Sequence, residues 1–163
     1  MRGMLSTIAS VFDPLNFAAP VMLPAKQIMQ ALRRCRIPWD QPIRGEILTK
    51  WENWKSNLHL LKEMNVPRCY FSRLDTAGVK LQLHHFCDAS EVGYGTASYL
   101  RIEYVDGFTE CAFVIGKSRN APVKSVSIPR LELQGALLAA RMDSTIRKEL
   151  DLSLKRSSFG QIR

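Results

Sequence analysis

The chain has no Cys-x-x-Cys pair, and its cysteines, Cys35, Cys69, Cys87 and Cys111, lie far apart with no histidine cluster at zinc-ligand spacing. Neither a zinc site nor a disulfide framework is therefore expected, and this cysteine usage suits a reducing, intracellular location. Long apolar runs are missing too. The longest, Leu15 to Ala25, is broken by Pro20 and Pro24 and is too short to cross a bilayer, so no membrane partner is expected. Arg2 and Asp13-Pro14 interrupt the start in a way that does not suit a secretory leader. There is no internal repeat and no low-complexity tract. Acidic residues are the scarcer charge: 15 Asp and Glu against 23 Lys and Arg leave a formal net charge of +8. That surplus fits a polyanionic partner, nucleic acid being the commonest, with a solvated basic surface as the alternative. The 163 residues, 46% of them apolar, allow one full domain, or a partial domain with an appendage.

What is present begins with helical periodicity over residues 1–66. Met4, Leu5, Ile8, Val11 and Phe12 recur at helical spacing until Asp13-Pro14 stops them. Ala25, Ile28, Met29, Leu32 and Cys35 form a second stripe, with Pro24 in its first turn and Arg33, Arg34 and Arg36 beside it. Ile43, Ile47, Trp51, Trp54, Leu58 and Leu61 form a third, opened by Asp40 and Pro42. Both tryptophans fall on that stripe, which favours a core role over a ligand platform. Residues 67–78 read as a linker punctuated by Pro67, Ser72, Asp75 and Gly78.

From residue 79 to 163 the period becomes extended. Val79, Leu81 and Leu83 alternate with Lys80, Gln82 and His84 before Phe86 and Cys87. Gly93 to Arg101 and Thr109 to Ile115 are predicted strands joined through Asp106-Gly107. Gly116 to Ser127 is a predicted loop, and Pro129 opens a helix predicted to reach about Leu150 with Leu133, Leu137 and Ala140 on its buried face. The class is α+β: a helical segment, then β-β-β-α with no evident strand after it.

Asp88 stands at the end of the first strand pattern and Glu132 in the first turns of the long helix. Taken alone, Asp88 fits ordinary turn chemistry and Glu132 fits an ordinary helix start. Together, in the order β-β-β-α, they form a pattern that suits two acids converging on a divalent metal for phosphodiester hydrolysis. His84 and His85 have no partner at ligand spacing and read as satisfied strand residues. Lys117, Arg119, Lys124 and Arg130 fall between the acids in sequence and form either a solvated loop or a phosphate-positioning one.

Four stretches carry a family resemblance: Arg2-Gly3-Met4-Leu5-Ser6-Thr7-Ile8-Ala9-Ser10-Val11-Phe12-Asp13-Pro14-Leu15, then Leu83-His84-His85-Phe86-Cys87-Asp88-Ala89-Ser90, then Gly116-Lys117-Ser118-Arg119 with Ala121-Pro122, then Ile128-Pro129-Arg130-Leu131-Glu132-Leu133. In this order they closely resemble segments of the polyproteins of Bel/Pao-type LTR retrotransposons. The resemblance implies that residues 1–66 correspond to the thumb and connection region of a reverse transcriptase. Residues 79–163 would then begin an RNase H domain, which cuts the RNA of an RNA–DNA hybrid using two Mg²⁺ ions held by carboxylates. It implies that Asp88 and Glu132 are catalytic metal ligands, and that Lys117, Arg119, Lys124 and Arg130 place the nucleic-acid backbone.

The family's third acid lies in a Phe-Trp-Thr-Asp-Ser type stretch on a fourth strand. The comparable residues here are Phe159-Gly160-Gln161-Ile162-Arg163, with Ile162 at the aspartate's place, and the fourth acid is absent. A polymerase Tyr-x-Asp-Asp motif and a protease Asp-Thr/Ser-Gly motif are absent as well. The expectation is a truncated RNase H-like fold whose ancestral Mg²⁺-dependent hydrolysis is lost. A non-catalytic nucleic-acid-binding module and a degenerate open reading frame are the alternatives. Loss of the fourth strand, which pairs beside the first in that family, would expose the edge of the first strand to association.

Overall fold

In the computed structural model, which describes residues 1–161, the helical region comprises α1 (Arg2–Ser10), α2 (Ala19–Arg34), α3 (Glu46–Ser56) and a 3₁₀ segment (Asn57–Glu63). Its apolar stripes meet in one core around Met4, Met22, Ile28, Leu32, Trp51 and Trp54. The two indole rings lie 4.8 Å apart, and Trp54 Nε1 donates to the Val21 carbonyl at 2.7 Å. The tryptophans are thus core residues with the polar edge of Trp54 satisfied.

Helix boundaries differ from the periodic reading for local reasons. The Asp13 carboxylate accepts the N–H groups of Phe17 and Ala18 at 2.9 and 2.8 Å. It thereby turns the chain into α2 at Ala19, with Pro20 in the first turn and Pro24 inside the helix rather than at its start. The third helix begins at Glu46 behind Gly45, whose φ of 70° breaks the helical path. Asp40, the expected start, instead pairs with Arg2 at 2.8 Å. Phe12 lies beyond α1 and is exposed.

The sheet comprises β1 (Lys80–Ser90), β2 (Gly93–Glu103), β3 (Thr109–Asn120) and β4 (Leu154–Gln161), with α4 (Ile128–Glu149) between β3 and β4. Strand order is β3-β2-β1-β4. The β1–β2 and β2–β3 pairs are antiparallel, and β4 runs parallel to β1. The strand expected to be missing is therefore present. The edge of β1 expected to be open is paired from Leu81↔Leu154 to Cys87↔Gln161, and β4 becomes the edge instead.

Helix α4 covers one face. It buries Leu131, Gly135, Leu138, Ala139, Met142 and Ile146, not the predicted Leu133, Leu137 and Ala140. The small residues Gly135 and Ala139 let the helix lie close to the sheet, so the bulkier Leu133 and Leu137 are turned to solvent. Beneath it, Leu81, Leu83, Leu100, Ile102, Tyr104, Val114 and Ile146 form the sheet core.

β3 continues five residues past the predicted Ile115 to Asn120, pairing Thr96 with Lys117 and Tyr94 with Arg119. Lys117 and Arg119 are thus strand residues rather than loop residues, and only Lys124 lies in the loop before α4. An edge strand tolerates such charges because they stay in water. The helical region joins the sheet along β3. The Gly116 N–H donates to the Leu15 carbonyl at 2.9 Å, Phe17 packs on Phe113 at 4.3 Å, and Gln30 Nε2 donates to the Ala121 carbonyl at 2.7 Å. No described helix is long and apolar enough to cross a membrane.

Candidate carboxylate site and basic surface

Asp88 pairs with Gly95 two residues before β1 ends, and its exposed carboxylate accepts the N–H of Ala89 at 2.8 Å. Glu132 is half-buried on α4, one turn before Gly135. Gly135 seats the helix on β1: a Cβ there would lie 3.5 Å from Cys87 Cβ and 3.6 Å from the Asp88 carbonyl oxygen. That seating brings Glu132 to the same end of β1 as Asp88. The effect is felt by Cys87, whose thiol is pushed above its ordinary range by burial first, then by the charges of Asp88 and Glu132.

The acids share an end of the strand but not a face. Leu81, Leu83 and His85 point toward α4 and are buried. Strand alternation sets Asp88 with His84 and Phe86 on the other side, where it lines a cleft with Phe86 and Tyr99. Among the described residues no group of three or more His, Cys, Asp or Glu side chains is gathered for a metal. Ile162, at the expected third-acid position, lies outside the described residues.

Lys117, Arg119, Lys124 and Arg130 are all exposed, and none makes an ion pair among the described residues. Pairing of Lys117 with Thr96 and Arg119 with Tyr94 sets both cations on the side of the sheet that α4 covers. Arg130 stands two residues before Glu132 in the opening turn of α4. These cations are free to meet phosphate groups.

A second polar cluster lies further along α4, one that the sequence reading did not single out. His85 is fully buried. Its Nδ1 meets Ser98 Oγ at 2.8 Å and its Nε2 meets Asp143 Oδ1 at 3.0 Å. Arg147 Nε binds both Asp143 oxygens at 3.2 and 3.1 Å, and its Nη2 donates to Ser157 Oγ at 2.6 Å. The Ser157 hydroxyl also donates to Asp143. Phe159 stacks on the imidazole at 5.0 Å. Burial would raise the Asp143 carboxyl, but hydrogen bonds from Ser157 and His85 and the charge of Arg147 hold it below the usual carboxylate range.

Ser, His and Asp in one chain of contacts invite comparison with a hydrolytic triad. Ser98 is 0% exposed, however, so no substrate reaches its hydroxyl. The cluster instead ties β2, β1, α4 and β4 together. Its legible signals were Asp143 and Arg147 at helical i,i+4 spacing, and a histidine in an apolar strand.

The model of the Pao retrotransposon-like RNaseH-like domain family matches residues 1–160. No curated protein gives a significant match.

Proposed function

This chain belongs to the Pao retrotransposon-like RNaseH-like domain family, and from that premise we propose that it binds RNA–DNA hybrids without cutting them. The observation that carries this reading is the imbalance at the end of β1. Asp88 and Glu132 stand there, with Glu91 in the turn that follows, yet no three such side chains are gathered for a metal among the described residues, while Lys117, Arg119, Lys124 and Arg130 are exposed and make no ion pair there. Mg²⁺ in the ancestral reaction stabilises the attacking and leaving oxygens of the phosphodiester, which takes more carboxylates than this pair supplies. We assign Asp88 and Glu132 to the positions of the ancestral ligands.

The cations contribute attraction that is independent of sequence and falls steeply with salt. Discrimination of hybrid from DNA duplex would rest on contacts to the 2′-OH across the minor groove. Such a partner is met in the cytoplasm or the nucleus.

Fluorescence anisotropy with a labelled hybrid across a salt series, with a cleavage assay in Mg²⁺ and in Mn²⁺, tests both halves. Salt-dependent binding with an intact RNA strand is the expected result. RNA turnover that vanishes in Asp88→Asn would show an active nuclease instead. A chain that binds neither hybrid nor single strand would leave the degenerate reading frame standing.

A further inference from the structure

The sheet face away from α4 carries a cleft of about 610 Å³, within the size range of small-ligand sites. Its floor is made of small residues, Gly95, Ala97 and Gly116. The floor is tight to the backbone: a Cβ on Gly95 would stand 3.1 Å from the Lys117 carbonyl oxygen, and one on Gly116 would stand 3.3 Å from the Phe113 ring. The walls are aromatic. Phe86 meets Tyr99 edge-on at 6.0 Å, Tyr99 meets Phe113 at 5.5 Å, and Phe113 tilts against Phe17 at 4.3 Å.

Several polar residues border the cleft; the hydroxyls of Ser90 and Thr96 are taken up by backbone carbonyls, and Ser118 and Asp88 bear most on what could enter. Ser118 borders the cleft and is only half-buried as a residue, while its hydroxyl oxygen is out of water and has no hydrogen-bond partner among the described residues. A buried hydroxyl left unpaired is costly, so it calls for an acceptor from whatever enters. Asp88 lines the same cleft with its carboxylate exposed. Its charge turns away a phosphate and accepts an N–H.

A hydrocarbon chain would leave Ser118 unsatisfied, and an anion would meet Asp88. A flat heterocycle with ring acceptors and an amino group answers both groups and stacks on aromatic walls. The geometry points to a subsite for one unpaired nucleobase bearing an exocyclic amino group, an inference that rests on the nucleic-acid reading above. The base would come from a single-stranded stretch beside the hybrid, or from a free nucleoside.

The test compares three labelled hybrids by anisotropy: one blunt, one with a single-stranded adenine overhang, one with a uracil overhang. EDTA keeps Asp88 free of cations. The adenine overhang should tighten binding at least about five-fold, the scale of one base stacked on aromatic side chains, and uracil should gain less. Ala97→Leu, which fills the floor, and Ser118→Ala, which removes the hydroxyl, should each cancel most of that gain and leave blunt affinity unchanged. Thermal melting verifies that both variants are folded.

An adenine overhang that gives no advantage, or an advantage that survives both substitutions, overturns the subsite. If no hybrid binds at all, the nucleic-acid reading fails and adenosine alone decides the cleft. A melting temperature raised by adenosine in the native chain but not in Ala97→Leu would support the subsite with a free nucleoside as its occupant. No shift in either would overturn it.

Discussion

The two halves of α4 handle charge in opposite ways. Near its start, Arg130 is exposed and Glu132 half-buried, and neither makes an ion pair among the described residues. Further on, Asp143 and Arg147 are drawn into a network with His85 and Ser157, most of it out of water. The first half therefore has little folding energy invested in its charges and is free to meet a ligand. The second half is committed to holding four elements together. Acids on one helix can thus be a site or a clamp, and the partners decide which.

The sharpest way to break this contrast is to remove one charge from each half. Asp143→Ala leaves His85 and Arg147 without their shared acceptor, and stability should fall by about 1–3 kcal/mol, the usual cost of leaving a buried hydrogen-bonding group unsatisfied, Arg147 being still partly in water. Glu132→Gln should stay within about 0.5 kcal/mol of the native chain. Urea denaturation of the two variants side by side gives both numbers. Equal losses would abolish the distinction.

Acid should act on the clamp, as it should on Glu46, Glu103, Asp106 and Glu110, whose carboxyls are also held low by hydrogen-bonding partners. Because the folded Asp143 carboxyl lies below its unfolded value, its contribution is complete above that value and disappears as pH falls through the folded one. The native chain should accordingly lose stability below about pH 4, and Asp143→Ala should show a shallower acid limb. Melting temperatures recorded from pH 6 to pH 2.5 test this, and parallel curves would remove Asp143 from the account.

Gly135 sharpens the comparison at the open half. A methyl group there would make ordinary contacts with Cys87 and Asp88. Gly135→Ala should therefore raise stability by up to about 1 kcal/mol through helix propensity. Gly135→Leu should lower it by lifting α4 from β1. Thermal melting of the pair decides whether close seating or backbone freedom is the reason for the glycine.

The smallest effect on folding is expected from neutralising Lys117, Arg119 and Lys124 together. Melting should barely move, while the salt slope of hybrid binding should flatten by about two to three units if each cation meets one phosphate. An unchanged slope would move the binding surface elsewhere, Arg33, Arg34 and Arg36 being the next candidates.

Much of this was legible in the residues, and the exceptions share causes. Alternation around Leu81 and Leu83 and the Asp106-Gly107 turn announced the hairpins, and the positions of Asp88 and Glu132 within β-β-β-α drew attention to one end of β1. β4 was missed because Leu154–Gln161 carries Lys155, Arg156, two serines and a glycine, with no alternation of apolar side chains. Its strand character comes from pairing with β1 and from Arg147, neither of which is local. α4 was misphased because the buried face includes glycine and alanine, while leucines stand outside. The His85–Asp143 contact spans 58 residues, which no spacing rule reaches.

The parallel pairing of β4 with β1 also orders the assembly of the chain. β1 meets β2 across a two-residue turn, whereas β4 reaches β1 only after β2, β3 and α4 have intervened. Closure of so long a loop is slow, so the antiparallel strands should condense first and β4 should dock late. Until then the edge of β1 is bare and the imidazole of His85 lacks the Phe159 ring that stacks on it. The late arrival is the strand rich in lysine, arginine and serine, a composition poorly suited to pairing with other copies of itself. A sequence that looked too polar to be a strand is one that survives being the last to find its place.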